Sequence, residues 1–137
     1  MDRRLFFLLN QAQHRVFRYV DRRAEDHFGT SVTRLGVLMY LGKHPGAQQK
    51  TLSQALGLNN PAVTGLVSRM ELSGLVQREP CPEDGRVTRL QLTEEGRQKL
   101  EELPPFIHEL NQKMMDGFSD EEMEVVFRFL NALLERF

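Results

Sequence analysis

The chain is 137 residues long and 40 % hydrophobic, with 18 Lys and Arg against 19 Asp and Glu for a formal net charge of −1. A chain of this length buries roughly two thirds of its unfolded surface, so its core needs no metal or disulfide staple, and the lone Cys81 cannot form an internal bridge. No stretch approaches the ~20 apolar residues of a membrane span, and the start MDRRLFFLLNQAQHR holds no signal-peptide core; the expectation is a soluble cytoplasmic protein without a membrane partner, whose near-zero charge speaks at face value against nucleic-acid binding.

Residues 3 to 27 are expected to form one long helix, because Leu5, Leu8, Leu9, Ala12, Val16, Tyr19 and Val20 recur at spacings of three and four. Phe6 and Phe17 widen that stripe, and so broad an apolar face needs more than one packing partner. Gly29 is a stop signal, and Ser31 caps a second helix from Val32 to Lys43, with Leu35, Leu38, Met39 and Gly36 turned inward. A short helix from Gln48 to Leu56 follows His44-Pro45-Gly46, with Leu52, Ala55 and Leu56 inside, and Gly57 breaks it. The next helix begins at Asn59 or Asn60, both good caps, with Pro61 tolerated in its first turn. Val63, Leu66, Val67 and Met70 define its buried side. Pro61, Thr64, Gly65 and Ser68 therefore face outward, flanked by Asn60 and Arg69, and Leu72 projects from the same side.

After Gly74 the period shortens. Leu75 to Glu79 and Arg86 to Leu92 are expected as short strands joined by the turn-rich loop Pro80-Cys81-Pro82-Glu83-Asp84-Gly85, a β-hairpin. Thr93 caps a helix reaching Asp116 and closed by Gly117, which Pro104-Pro105 must kink or split because each ring removes a backbone donor. Ser119 with Glu122 three residues on is a capping box; it opens a last stripe of Met123, Val126, Phe127, Leu130, Leu133, Leu134 and Phe137.

Enzymatic chemistry finds no support: there is no Gly-rich phosphate loop, no nucleophile elbow and no metal-ligand cluster. His14, His27, His44 and His108 form no HxxxH or HExxH pair, so neither metal nor cofactor is expected. The average charge conceals a gradient. Residues 1 to 30 and 31 to 98 each carry +2, whereas residues 99 to 137 carry −5. Acid is thus concentrated at the C-terminal end, and the helix from Asn60 to Met70 has no acidic side chain at all.

Two helices joined through Gly57, the second with a polar outer face, followed by a hairpin, are in the order of a winged helix-turn-helix. The run Asp84-Gly85-Arg86-Val87-Thr88-Arg89-Leu90-Gln91-Leu92-Thr93 matches the DxRxxxLxLT wing signature of the MarR family of transcriptional regulators. TLSQALGLNNPAVTGLVSRMELSGLVQR also resembles that family's recognition unit. Two features depart from the family pattern: the double proline, and Arg34 where the family often has Gln. The resemblance implies a mainly α fold with a small β-hairpin wing. Residues 1–30 would be an N-terminal dimerisation helix, 31–98 the winged helix-turn-helix and 99–137 the C-terminal dimerisation helices.

An exposed helix ~22 Å long fits the major groove. There Asn60, Thr64, Ser68 and Arg69 supply donors and acceptors, and small Pro61 and Gly65 allow close approach. Read without the resemblance, such a face is an ordinary solvated helix surface. Arg86 at the hairpin tip is, in the family, the wing's minor-groove contact, with Asp84 bracing it. Arg78 and Arg89 either neutralise phosphates or pair across the strands with Glu79 or Glu83. The terminal stripes would expose too much apolar surface on a monomer. The expectation is a homodimer that reads an inverted-repeat operator in double-stranded DNA with half-sites about 10 bp apart. The resemblance further implies a repressor released by a small aromatic or anionic effector, for which His14, Arg15, Phe17, Tyr40 and His108 are the candidate lining residues, each more often ordinary packing or surface. Cys81 could respond to oxidants if Arg78 or Arg86 stabilised its thiolate, but the acidic neighbours favour an incidental loop cysteine. The alternative from another class is a winged-helix protein-interaction adaptor that does not bind DNA.

Overall fold

Helix α1 (Leu5–Phe28) stops at Gly29, whose φ of 64° places it in the left-handed region and whose N–H donates to the Glu25 carbonyl at 2.9 Å. The protein is described over residues 1–137 by a computed structural model with two units, Met1–Glu102 and Leu103–Phe137. Along α1 only Ala24 is buried, and Leu5, Phe6, Phe7, Phe17 and Tyr19 all remain exposed.

Helix α2 (Val32–Lys43) is capped as expected, the Ser31 hydroxyl accepting the Arg34 N–H at 3.3 Å. A tertiary bond supports the same end: the Asp21 carboxylate of α1 accepts the Val32 N–H at 2.9 Å. Leu35, Val37, Leu38 and Leu41 are buried, whereas Met39, expected inside, is 42 % exposed. The reason is the number of neighbours. Besides α1, α2 packs on α3 (Gln49–Leu56), α5 (Glu94–Glu101) and the central strand of the sheet, so its buried arc is shifted and broad rather than a single stripe.

Ahead of α3 a short strand, β1 (Ala47–Gln48), was not anticipated, and it makes the wing a three-stranded antiparallel sheet of order β1-β3-β2. Strand β2 is Val76–Pro80 and β3 is Thr88–Leu92, each starting one or two residues later than expected. In α3, Leu52 is buried as expected but Ala55 is exposed and Ser53 is inside. The buried serine is satisfied, its hydroxyl donating to the Leu58 carbonyl at 2.6 Å across the Gly57 turn. Val63, Leu66, Val67 and Met70 of α4 (Asn60–Leu72) are buried, as their spacing requires.

Thr93 joins wing to helix. Its Oγ1 accepts the Gly96 N–H at 3.0 Å, capping α5, and donates to the Gly74 carbonyl at 2.6 Å. Gly96 lies so close beneath the Leu75 carbonyl that a Cβ would collide with it. The prolines do split the following segment: α5 ends at Glu101 and α6 (Leu103–Met115) starts two residues later, with Pro104 and Pro105 in its first turn, where N–H groups have no intrahelical acceptor. In α7 (Asp120–Arg136) the Ser119–Glu122 capping box is formed by both of its bonds, 2.9 and 3.1 Å. No helix is long and apolar enough to cross a membrane.

Candidate nucleic-acid interface

Asn59, not Asn60, caps α4, its Oδ1 accepting the Ala62 N–H at 2.9 Å. Asn60 is thereby left on the outer face with Pro61 and Thr64, all three exposed. A residue missed from the sequence organises this end. Gln49, at the start of α3, donates from Nε2 to the Thr64 hydroxyl at 2.6 Å and to Asn60 Oδ1 at 3.4 Å. Thr64 Oγ1 in turn donates to the Asn60 carbonyl at 2.9 Å. The hydroxyl proton is therefore committed within the protein, and what Thr64 offers outward is a methyl group and a spare lone pair. No local pattern announces Gln49, because its partners are eleven and fifteen residues away.

Farther along α4, Gly65 and Ser68 are half-buried. The Ser68 hydroxyl accepts from Arg78 Nη2 of β2 at 2.9 Å. Arg78 also meets Glu71: its backbone N–H donates to Glu71 Oε2 at 3.3 Å, and Nε stands 3.9 Å from Oε1, close enough to pair electrostatically but too far for a hydrogen bond. The acidic partner of Arg78 is thus Glu71 on the helix, and neither Glu79 nor Glu83 on the hairpin, because the side chain turns back toward α4. Arg69 separates from this group. Its guanidinium folds back along the helix, Nη1 lying 3.3 Å from where a Gly65 Cβ would be, and it borders a crevice with Ser31 and Arg34. Leu72 is 89 % exposed at the end of the same helix.

At the wing tip, Arg86 has a side chain 92 % exposed. Asp84 holds it as expected: Oδ1 accepts the Arg86 backbone N–H at 3.0 Å and Nε at 3.2 Å. Those two donors, the backbone one first, hold the Asp84 carboxyl below the usual carboxylate range. The exposed guanidinium keeps its remaining N–H groups free for an outside acceptor. Arg89, by contrast, sits in the middle of the sheet, half-buried, opposite Glu79 of β2 and Gln48 of β1. It lies beside Cys81, which is buried in the wing loop. The thiol is pulled below its ordinary range by the backbone N–H groups of Glu83 and Asp84 and then by Arg89, so the arginine beside it is neither Arg78 nor Arg86.

The candidate effector residues lie on three helices. His14, Arg15 and Phe17 are exposed on α1, Tyr40 is half-buried on α2 with its ring 4.5 Å from that of His44, and His108 is exposed on α6 in the other unit. The crevice bordered by Arg34 and Arg69, and a second one between Leu41, Pro45, Leu92 and Leu100, are lined by other residues.

The model of the MarR family matches residues 28–87. The fold is that of the transcriptional regulator BldR from Sulfolobus solfataricus, at 21 % identity and a TM-score of 0.88 over 97 % of this chain and 94 % of that one. MepR of S. aureus, solved in a complex with DNA, aligns at 24 % identity and a TM-score of 0.85, covering 99 % of this chain and 100 % of its own. PcaV of Streptomyces coelicolor, solved in complex with its natural ligand, aligns at 27 % identity and a TM-score of 0.75, covering 96 % and 89 %.

Proposed function

The winged-helix segment of this chain belongs to the MarR family, and from that premise we propose that the protein is a sequence-specific DNA-binding transcriptional regulator that reads an inverted-repeat operator as a homodimer. One observation carries the reading. The outer face of α4, free of acidic side chains from Asn60 to Met70, is tied through Ser68 and Arg78 to a wing whose tip presents a braced and almost fully exposed Arg86. A helix for the major groove and an arginine for the adjacent minor groove are the two contacts that a winged helix makes with a duplex.

Within this reading Asn60, Pro61, Thr64, Gly65 and Ser68 face base edges and Arg86 enters the minor groove, with Asp84 as its positioning residue. Arg69 and Arg89 serve phosphates from the flanks. The regulators named above favour this over the adaptor use of the same fold, since MepR was solved with DNA and BldR is a transcriptional regulator.

The exposed apolar faces of α1 and of α7, where Phe6, Phe17, Phe127, Phe129 and Leu134 are open, supply the surface that a second copy would cover. We assign residues 1–30 and 99–137 to dimerisation and 31–98 to DNA reading. Twofold pairing sets two α4 helices about one DNA turn apart, hence half-sites about 10 bp apart. Repression relieved by a small aromatic or anionic molecule extends the same reading. PcaV, solved with its ligand, supports it, and His14, Arg15, Phe17, Tyr40 and His108 are the residues to vary first.

Duplexes selected from a random library by the purified protein test the proposal. The recovered sites are expected to be palindromic, and Arg86→Ala and the Thr64→Ala/Ser68→Ala pair are each expected to weaken binding at fixed salt. Unchanged affinity in both variants overturns it.

A further inference from the structure

At the exposed start of α4 three side chains fix one another through their hydrogen bonds. The Thr64 hydroxyl donates its only proton to the Asn60 carbonyl at 2.9 Å, so toward the Gln49 amide, 2.6 Å away, it can only accept. The end of the Gln49 amide at Thr64 is therefore Nε2. Its other hydrogen is directed at the Asn60 side chain, 3.4 Å away. The two ends of a carboxamide are told apart by what they bond: with the Asn60 amide turned over, its Nδ2 would face the Gln49 NH2 group, donor against donor with no acceptor between them. At 3.4 Å this bond is long and supplies direction more than strength. Asn60 thus holds its side-chain oxygen toward α3 and its NH2 group away from it.

No other side-chain donor stands beside that group. Between Asn60 and Thr64 lie Pro61, Ala62 and Val63, which carry none, and the Thr64 proton is already spent. The backbone adds nothing there: Pro61 has no N–H, Ala62 gives its own to Asn59 Oδ1 at 2.9 Å, and Val63 gives its own to the Asn59 carbonyl at 3.2 Å. Both Gln49 Nε2 hydrogens are likewise taken. What the first turn of α4 presents is the NH2 group of an exposed asparagine, a donor with its acceptor end turned inward.

We infer that Asn60 is a specificity-determining residue, held as a donor by Gln49 and Thr64, and that the base pair it faces is G·C, read through the acceptors of guanine. The inference rests on the DNA-binding reading, which supplies the duplex. In the major groove guanine shows two adjacent acceptors, N7 and O6, whereas adenine shows an acceptor beside a donor, cytosine a donor, and thymine one acceptor beside a methyl. An asparagine whose amide is free to choose pairs with adenine, using its oxygen and its nitrogen together. Here the oxygen is turned to Gln49 and the nitrogen alone is offered, and only guanine accepts from one nitrogen at both atoms, as it does from a lysine ammonium.

The test uses the full chain and a duplex recovered by selection, with melting temperatures confirming that each variant is folded. Each position of the half-site is replaced in turn by the other three pairs, and binding is followed by fluorescence anisotropy at fixed salt. One position is expected to prefer guanine over adenine by about tenfold. Asn60→Asp, which keeps an oxygen toward Gln49 and loses only the donors, should abolish that preference and leave the other positions as they are. Gln49→Ala lets the Asn60 amide turn its oxygen outward, so the guanine-to-adenine ratio at the same position should fall toward unity. Substituting 7-deazaguanine there, which replaces the N7 acceptor by C–H, should weaken wild-type binding several-fold and binding by Asn60→Ala hardly at all.

If Arg86→Ala weakens binding while Asn60→Asp and Gln49→Ala leave every base preference unchanged, the inference is overturned and the DNA reading stands. A preference for adenine, cytosine or thymine at the position that Asn60→Asp alters overturns it as well, since the outward group is then not a lone donor. An effect of Asn60→Asp with none of Gln49→Ala on the ratio overturns the holding of Asn60 by its neighbours. Should the wild-type protein bind no duplex, the DNA reading fails and the base assignment falls with it.

Discussion

The Arg78 guanidinium of β2 donates to the Ser68 hydroxyl of α4 at 2.9 Å, while the Arg78 backbone N–H reaches the Glu71 carboxylate at 3.3 Å. Helix and wing, which must meet a duplex together, are therefore joined by one side chain and not only by the core beneath them. The bond also takes one of the lone pairs of Ser68 and so limits which groups on a base edge that hydroxyl can address.

Arg78→Ala is expected to lower unfolding stability by about 1.5–3 kcal/mol, the range for a hydrogen bond to a charged group. It should also weaken DNA binding, although Arg78 itself makes no base contact in this reading. A double-mutant cycle with Ser68→Ala, read by urea unfolding, should give a coupling of about 1 kcal/mol. Additive losses would mean that the two residues act independently.

Gly96→Ala is expected to destabilise the first unit by about 1–3 kcal/mol through overpacking. The colliding atom is the Leu75 backbone oxygen, which also accepts the Thr93 N–H at 3.1 Å and so cannot move aside without loosening the start of α5. Thermal unfolding measures the loss. At Gly42, where the obstructing atoms are the methyl end of Leu100, the same substitution should be milder because a side chain can rotate away.

Asp84 makes wing geometry dependent on pH in a stated direction. Its carboxyl is held below the ordinary value of about 3.9 by the Arg86 backbone N–H and then the Arg86 side chain. A depressed carboxyl contributes order that is fully present above its unfolded value and is lost as pH falls through the folded one. The Arg86 amide and Nε–H resonances should therefore hold through mildly acid solution and shift only below the usual aspartate range. Asp84→Asn should abolish that transition and weaken DNA binding with no loss of fold. A midpoint at or above the ordinary aspartate value would contradict the bracing.

Much of the reading head was legible because it depends on neighbours within one or two helical turns. The buried set Val63, Leu66, Val67 and Met70, the Thr93 and Ser119 caps and the break ahead of Pro104 all follow from spacing or ring chemistry. The Asp84–Arg86 bond spans two residues and was read correctly for the same reason. What escaped lies in contacts across the fold. Strand β1 is only Ala47–Gln48 and exists because Leu90 and Arg89 pair with it. Met39 points out and Val37 and Leu41 point in because α2 is surrounded by several elements. Ser53 is buried at no penalty because Leu58 folds back to accept its proton. The pairing of Arg78 with Glu71 required knowing that β2 returns alongside the end of α4.

Gln49 is the sharpest case, since nothing in its own surroundings marks it and yet its amide sets the Thr64 hydroxyl and touches Asn60. Gln49→Ala is expected to leave the fold intact, because the amide is only half-buried and water can replace it at Thr64. Freed of the amide, the Thr64 oxygen gains an open lone pair while its proton stays on the Asn60 carbonyl, and the Asn60 side-chain oxygen loses its partner, so the face gains acceptors that the native protein keeps satisfied. Affinity for the selected site should drop several-fold while binding to unrelated duplex stays the same, which lowers the ratio between them. The salt slope should not change, because no charge is removed. That combination separates a positioning role from a contact role: if Gln49 itself donated to a phosphate, selected and unrelated duplex would both be bound more weakly and the ratio between them would hold.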